Sequence, residues 1–173
     1  MTVAITGTPG IGKTTVAGLL REEGYNVLDL NGFIDEKGLR GDKDENRNSH
    51  EVEISRLKEE LKKISGYDIV EGHLSHHLGI EPIIVLRCAP KELKCRMSSK
   101  DWQDRKEKEN LEAEILDVIL IESLEYSNEV YEIDTTDMKP MDVCSAVKEI
   151  LDGETERYSI GQVDWSSEYG LLD

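Results

Sequence analysis

The run Gly7-Thr8-Pro9-Gly10-Ile11-Gly12-Lys13-Thr14 fits the spacing GxxxxGK[ST], follows the apolar Val3 to Thr6 directly and opens on a helical pattern. Gly7, Gly10 and Gly12 let the backbone curl without Cβ clashes. Successive N–H groups and the positive end of the following helix then converge on phosphate oxygens. Lys13 brings a charge to β and γ phosphates, Thr14 offers a hydroxyl to Mg²⁺, and Thr15 can donate to an α phosphate. The chemistry these residue types support is the binding of ATP with Mg²⁺ and transfer of its terminal phosphoryl group. A glycine-rich turn that held no ligand would need neither the lysine nor the two threonines.

Such a cradle also needs an acid at the end of a neighbouring strand to hold the metal's shell. Ile69-Val70-Glu71-Gly72-His73 supplies it: the apolar run stops at Glu71, at the strand edge where open parallel sheets bind ligands, and Gly72 lets the chain turn beside the phosphates. Thr14 and Glu71 are therefore the expected metal residues. His73, close to Glu71, is a candidate for a role near the transferred phosphate. His76 and His77 are adjacent and read as surface or helix-turn polarity, and no dedicated zinc site is expected of them.

The elements that must position these residues alternate between short apolar runs and helical patterns, which predicts α/β architecture around a parallel sheet. Five strands are expected, at Val3 to Thr6, Asn26 to Leu28, Asp68 to Val70, Pro82 to Leu86 and Val130 to Ile133, rich in Val and Ile as buried parallel strands are. Helices are expected at Lys13 to Glu22, Glu51 to Ile64, Pro90 to Ser98, Glu107 to Tyr126 and Met141 to Leu151. The polar stretch Gly38 to His50 reads as a mobile loop. The end, Gly153 to Asp173, lacks periodicity, although Tyr158, Val163, Trp165 and Tyr169 offer groups that could dock it.

At 173 residues the chain is long enough for one domain with a hydrophobic core, and 38% hydrophobic with 34% charged residues describes a soluble protein. Its apolar runs are too short to span a bilayer. Met1 to Thr6 carries no basic flank or apolar signal core, which gives the expectation of a cytoplasmic protein, or a nuclear one in a eukaryote. Cys88, Cys95 and Cys144 have no CxxC spacing and read as ordinary reduced thiols. The formal charge of -16, from 37 acidic against 21 basic residues, disfavours broad contact with nucleic acid or anionic lipid and would attract a basic protein.

Gly7-Thr8-Pro9-Gly10 with Gly12-Lys13-Thr14-Thr15, Glu71-Gly72-His73, Leu86-Arg87 before a helix, Arg96, Trp102, Lys106, Asn110, Glu114 and Val163-Asp164-Trp165-Ser166 together resemble the adenylate kinase isoenzyme 6 family. These are small nuclear or archaeal nucleoside monophosphate kinases also implicated in maturing the small ribosomal subunit. The resemblance covers nearly the whole chain. It implies a P-loop NTPase core, a monophosphate-binding segment from about Leu30 to Glu53 and a short LID from about Ser99 to Glu109, closed by Lys100, Arg105 and Lys106. It further implies phosphoryl transfer from ATP to AMP, with Arg96 reaching the phosphates and Lys139-Pro140 bordering the adenine. A basic small-subunit ribosomal protein is the partner it names, and ATP-dependent assembly work is the alternative function. The chain departs from the family twice. Glu71 stands where an aspartate is usual, and Asp35 stands where relatives can carry an arginine for the monophosphate, leaving Arg40 or Arg47 to compensate.

Overall fold

The computed structural model describes residues 2–44, 49–98 and 104–171. Arg47, Ser99, Lys100 and Trp102 lie outside the described residues. Strands β1 (Val3–Gly7), β2 (Val27–Asp29), β5 (Ile69–Glu71), β6 (Ile83–Arg87) and β7 (Val130–Asp134) form one parallel sheet in the order β2-β5-β1-β6-β7. Each of the five expected strands is present, shifted by one residue at most. They were readable because both faces are covered. Val3, Ile5, Ile84 and Leu86 pack with Val16 and Leu20 of α1 (Lys13–Glu22) and with Val143 and Val147 of the helix Pro140–Leu151. Their alternates Ala4, Ile83, Val85 and Val130 pack with Leu120. A strand buried on both faces reads as a continuous apolar run.

The neighbours β1 and β6 send their crossovers in opposite directions, to β2 on one side and to β7 on the other. The crevice at the carboxyl ends of such a pair is where a doubly wound sheet takes its ligand.

Between β2 and β5 the chain departs from expectation. Asp29 caps a helix, α2 (Leu30–Glu36), its carboxylate accepting from the Asn31 amide at 3.0 Å. The stretch read as a loop then forms an antiparallel hairpin, β3 (Arg40–Asp44) and β4 (Ser49–Val52). It belongs to its own two-stranded sheet outside the main one, so it lacks the apolar run by which a core strand is recognised. Because β4 takes Glu51 and Val52, the next helix, α3 (Ile54–Leu61), is shorter than its apolar spacing suggested.

Helix α4 (Pro90–Ser98) falls as expected, but the single helix foreseen at Glu107 to Tyr126 is two, α5 (Asp104–Ile115) and α6 (Val118–Tyr126). The break is at Asp117, in the left-handed region at φ 54°. Asp tolerates that conformation better than most residues, and here the buried Arg87 guanidinium donates both to the Asp117 carboxylate and, at 3.2 Å, to the Glu114 carbonyl. The last helix is α7 (Pro140–Leu151).

The tail is docked rather than loose. Tyr158 donates to Glu149 at 2.5 Å, the Gly161 amide to Glu132 at 2.7 Å, and the Trp165 indole to Glu114 at 3.3 Å. These contacts carry it across the β7 edge of the sheet.

Gly72 follows β5 at a point where a Cβ would lie 2.8 Å from the Leu30 Cβ. Its smallness is needed for close packing as well as for the turn. Gly72→Ala is expected to cost about 1–3 kcal/mol through overpacking, seen as a lower denaturant midpoint at unchanged m-value.

Candidate active site

The loop after β1 is built from glycines that no other residue could replace cheaply. Gly7, Gly10 and Gly12 have φ of 142°, 93° and 112°, and a Cβ on Gly7 would lie 2.6 Å from the Leu86 carbonyl oxygen. Gly12 is the N-cap of α1 and brings no side chain to close the first turn. The turn is open to an anion, and the helix dipole favours one there. Lys13, 8% exposed, folds back over the loop and donates to the Gly7 carbonyl at 2.6 Å and the Thr8 carbonyl at 3.1 Å. An ammonium held by neutral carbonyls can exchange them for phosphate oxygens.

Glu71, only 2% exposed, ends β5 beside Ile5 of β1, and Thr14 Oγ1 donates to its Oε1 at a long 3.4 Å. Burial pushes its carboxyl above the usual range, against the pull of Lys13. A desolvated carboxylate next to a hydroxyl is under-compensated, and a hard cation would compensate it. His73 stands on the same wall, its imidazole pushed down to about 4 by burial and then by the Lys13 charge, with Lys106 and Arg40 adding to the effect. It is neutral at pH 7. Lys106 of α5 and Arg40 of β3 thus bear on this wall from opposite elements.

Lys13, Thr14, Glu71 and His73 line a polar cavity of about 190 Å³ with the glycine loop. A second cavity, of about 410 Å³, shares Gly10, Gly12 and Thr15 with it and extends between Ile11, Val16, Met138 and Val143. One groove therefore runs over the loop, polar at one end and largely apolar at the other.

Arg96 lies in the wall of the apolar end. It donates to the Ile11 carbonyl at 3.2 Å, the Thr135 carbonyl at 2.8 Å and the Thr136 carbonyl at 3.0 Å, with Glu92 at 3.0 Å behind it. In this arrangement it ties the glycine loop to the end of β7, where the resemblance implied a hand on the phosphates. Lys139 is exposed at the N-cap of α7, while its neighbours Met138 and Pro140 border the cavity. Arg105 pairs with Glu109 at 3.1 Å on the surface, and Arg40 with Asp35 through Nη2 at 3.0 Å. Lys100 lies outside the described residues.

Two parts of the site escaped the periodicity and spacing of the sequence. Thr8 donates at 2.5 Å to Glu114, which also accepts from Arg87 at 2.8 Å and from the Cys88 amide at 3.2 Å. Glu114 is 3% exposed and so anchors the cradle to α5 and the tail. No periodicity marks such a residue, and only the family resemblance had singled it out. His76, expected on the surface, is 1% exposed, with Nδ1 2.9 Å from Thr6 Oγ1 and Nε2 3.1 Å from Glu122. The short segment Ser75–Leu78 turns as a 3₁₀-helix against β1, which carries His76 inward.

Residues 3–117 match the AAA domain family. Relatives titled "Putative adenylate kinase" include one from Archaeoglobus fulgidus, 44% identical over 97% of this chain and 93% of its own length. Another, from Methanocaldococcus jannaschii, is 38% identical over 98% and 95%. The chain belongs to the nucleoside monophosphate kinase family. Shikimate kinase from Bacteroides thetaiotaomicron shares the fold, with a TM-score of 0.53 at 18% identity over 88% of this chain and 98% of that one. The chain is thus a P-loop phosphotransferase of this family, with a polar cavity and a largely apolar one meeting at its glycine loop. Among the described residues no helix is long and apolar enough to cross a membrane.

The thiols report on the integrity of this kinase fold. Burial pushes Cys88 up to about 12 and raises Cys144, while Cys95 is exposed on α4. Since the thiolate is the reactive form, a disulfide reagent at pH 8 is expected to titrate Cys95 at once, and Cys88 and Cys144 only after denaturant is added.

Proposed function

We propose that the protein is an adenylate kinase in the strict sense, carrying the γ-phosphoryl of ATP to AMP to give two ADP, in the cytoplasm. The observation that carries this reading is the continuous groove in which an apolar cavity and a polar one meet at Gly10, Gly12 and Thr15. The base of ATP fits the apolar end and its phosphates the cradle. AMP would enter from the side of α2 and the β3–β4 hairpin, within the monophosphate-binding segment of residues 30–53, and a LID over residues 99–109 would exclude water.

Thr14 and Glu71 are the residues that would hold Mg²⁺, which when bound neutralises phosphate charge and orients the terminal group. Lys13 gives up the Gly7 and Thr8 carbonyls for phosphate oxygens. An oxygen of the AMP phosphate attacks the γ phosphorus in line, the bond to the bridging oxygen breaks, and the electron pair leaves with ADP. No protein nucleophile is required, so catalysis rests on position and charge. Neutral His73 can donate or accept a hydrogen bond beside the transferred group without adding charge.

Purified protein given Mg²⁺, ATP and a panel of nucleoside monophosphates is expected to form ADP fastest with AMP. A rate with AMP no higher than with ATP alone, or lower than with another acceptor, overturns the reading. The charge of -16 favours a second one, ATP hydrolysis that switches the grip on a basic small-subunit ribosomal protein. It predicts that Lys13→Ala traps that partner, and partner release at the normal rate would exclude it.

A further inference from the structure

Behind the cradle, on the face of the sheet covered by α6, two imidazoles and a carboxylate converge. One ring nitrogen each from His76 and His77 and an oxygen of Glu122 lie within 4.8 Å of one another. The closest approaches to Glu122 Oε2 are 3.1 Å from His76 Nε2 and 3.9 Å from His77 Nε2. Ligands about 2.1 Å from a tetrahedral ion stand roughly 3.4 Å apart, so these separations bracket what a bound ion needs. Adjacent histidines on one α-helix would splay by about 100°, the reason the sequence argued against a shared ion. A 3₁₀ turn separates adjacent positions by about 120°, yet here the two rings lie with centroids 3.9 Å apart, tilted by 43°, and both approach Glu122 of α6.

His77 supplies the second observation. Its Nδ1 is buried with no hydrogen-bond partner among the described residues, and its Nε2 comes only within 3.9 Å of Glu122. A mostly buried imidazole whose lone pair nothing claims calls for an explanation. We propose that His76, His77 and Glu122 form a binding site for one borderline divalent transition-metal ion, of which zinc is the type, with an open coordination position toward solvent.

The chemistry of the donors fits. Two imidazoles and a carboxylate select Zn²⁺ and its first-row neighbours over Mg²⁺, which prefers an all-oxygen shell. Metal ligands must be unprotonated, and burial lowers both rings, His76 to about 3. Glu122 and Glu125 attract a cation here and Lys58 opposes it. The outer contacts of a ligating histidine are also in place. With the ion on Nε2, His76 carries its proton on Nδ1, donates to Thr6 Oγ1, and the Thr6 hydroxyl donates onward to the His73 carbonyl at 3.4 Å. That chain ends beside the phosphate cavity.

The test is titration of chelator-stripped, nucleotide-free full-length protein with Co²⁺, read by visible absorption, followed by displacement with Zn²⁺. The expected result is one equivalent bound, with the intense d–d bands of a four- or five-coordinate ion, unchanged by millimolar Mg²⁺. His77→Ala and Glu122→Gln, both at partly exposed positions, should each weaken binding at least tenfold while leaving the circular dichroism unchanged. Cys95→Ser should bind as the parent does. The proposal is overturned if no saturable band forms, if Mg²⁺ displaces the ion, if both ligand variants bind like the parent, or if Cys95→Ser removes the band.

Discussion

Lys13→Ala is expected to lower kcat/KM for phosphoryl transfer roughly 1,000-fold, about 4 kcal/mol of transition-state stabilisation. The side chain is 8% exposed and lies over the loop with its ammonium on two backbone carbonyls, at 2.6 and 3.1 Å. For a side chain this buried, a full charge aimed at the transferring group is worth more than in water, and among the described residues no nearby cation replaces it without moving an element. Arg96 is held by the Ile11, Thr135 and Thr136 carbonyls, and Lys106 must reach in from α5. Steady-state assays of the variant beside thermal unfolding separate the two ways it can fail. Loss of rate with an unfolding temperature within a few degrees of the parent is the expected pair. Activity within tenfold of the parent would mean that the ammonium only braces the loop.

What the sequence revealed of this fold and site follows from which interactions are local. The five strands, α1 and the cradle were readable because each is written in a few consecutive residues: a two-sided apolar run, a 3.6-residue period, three glycines and a lysine at set spacing. Glu71 was readable from the point where its strand's apolar run ends. The pair β3 and β4 was not, since it stands in its own two-stranded sheet and its sequence carries no apolar run to announce it. The break at Asp117 was hidden because helical periodicity continues on both sides, and its cause is an arginine 30 residues away in sequence. His76 looked like a surface histidine because its partners are Thr6, 70 residues away, and Glu122, 46 away. Polar residues that meet across the fold leave no periodic trace, and the site's supporting shell is made of them.

That shell carries the second large effect. Arg87 is 2% exposed at the end of β6 and donates to Glu114 and Glu132 at 2.8 Å each, and to Asp117. Burial works to lower its pKa, yet Glu114 and Asp117 hold it above the ordinary value. Arg87→Met is expected to cost about 3–5 kcal/mol of unfolding free energy, because it strands buried carboxylates without their cation. Against a typical total of about 5–15 kcal/mol this is a large share. Most of the loss should be the unpaired charge rather than the missing contact. Adding Glu132→Gln, which can still accept from the Gly161 amide now 2.7 Å away, should therefore recover part of it. Chemical denaturation of both variants checks this, and a cost below 1 kcal/mol for Arg87→Met would show that water reaches the network. The change should also reach the chemistry. Glu114 freed from Arg87 holds Thr8 less firmly, so where Arg87→Met still folds, KM for the nucleotide should rise before kcat falls.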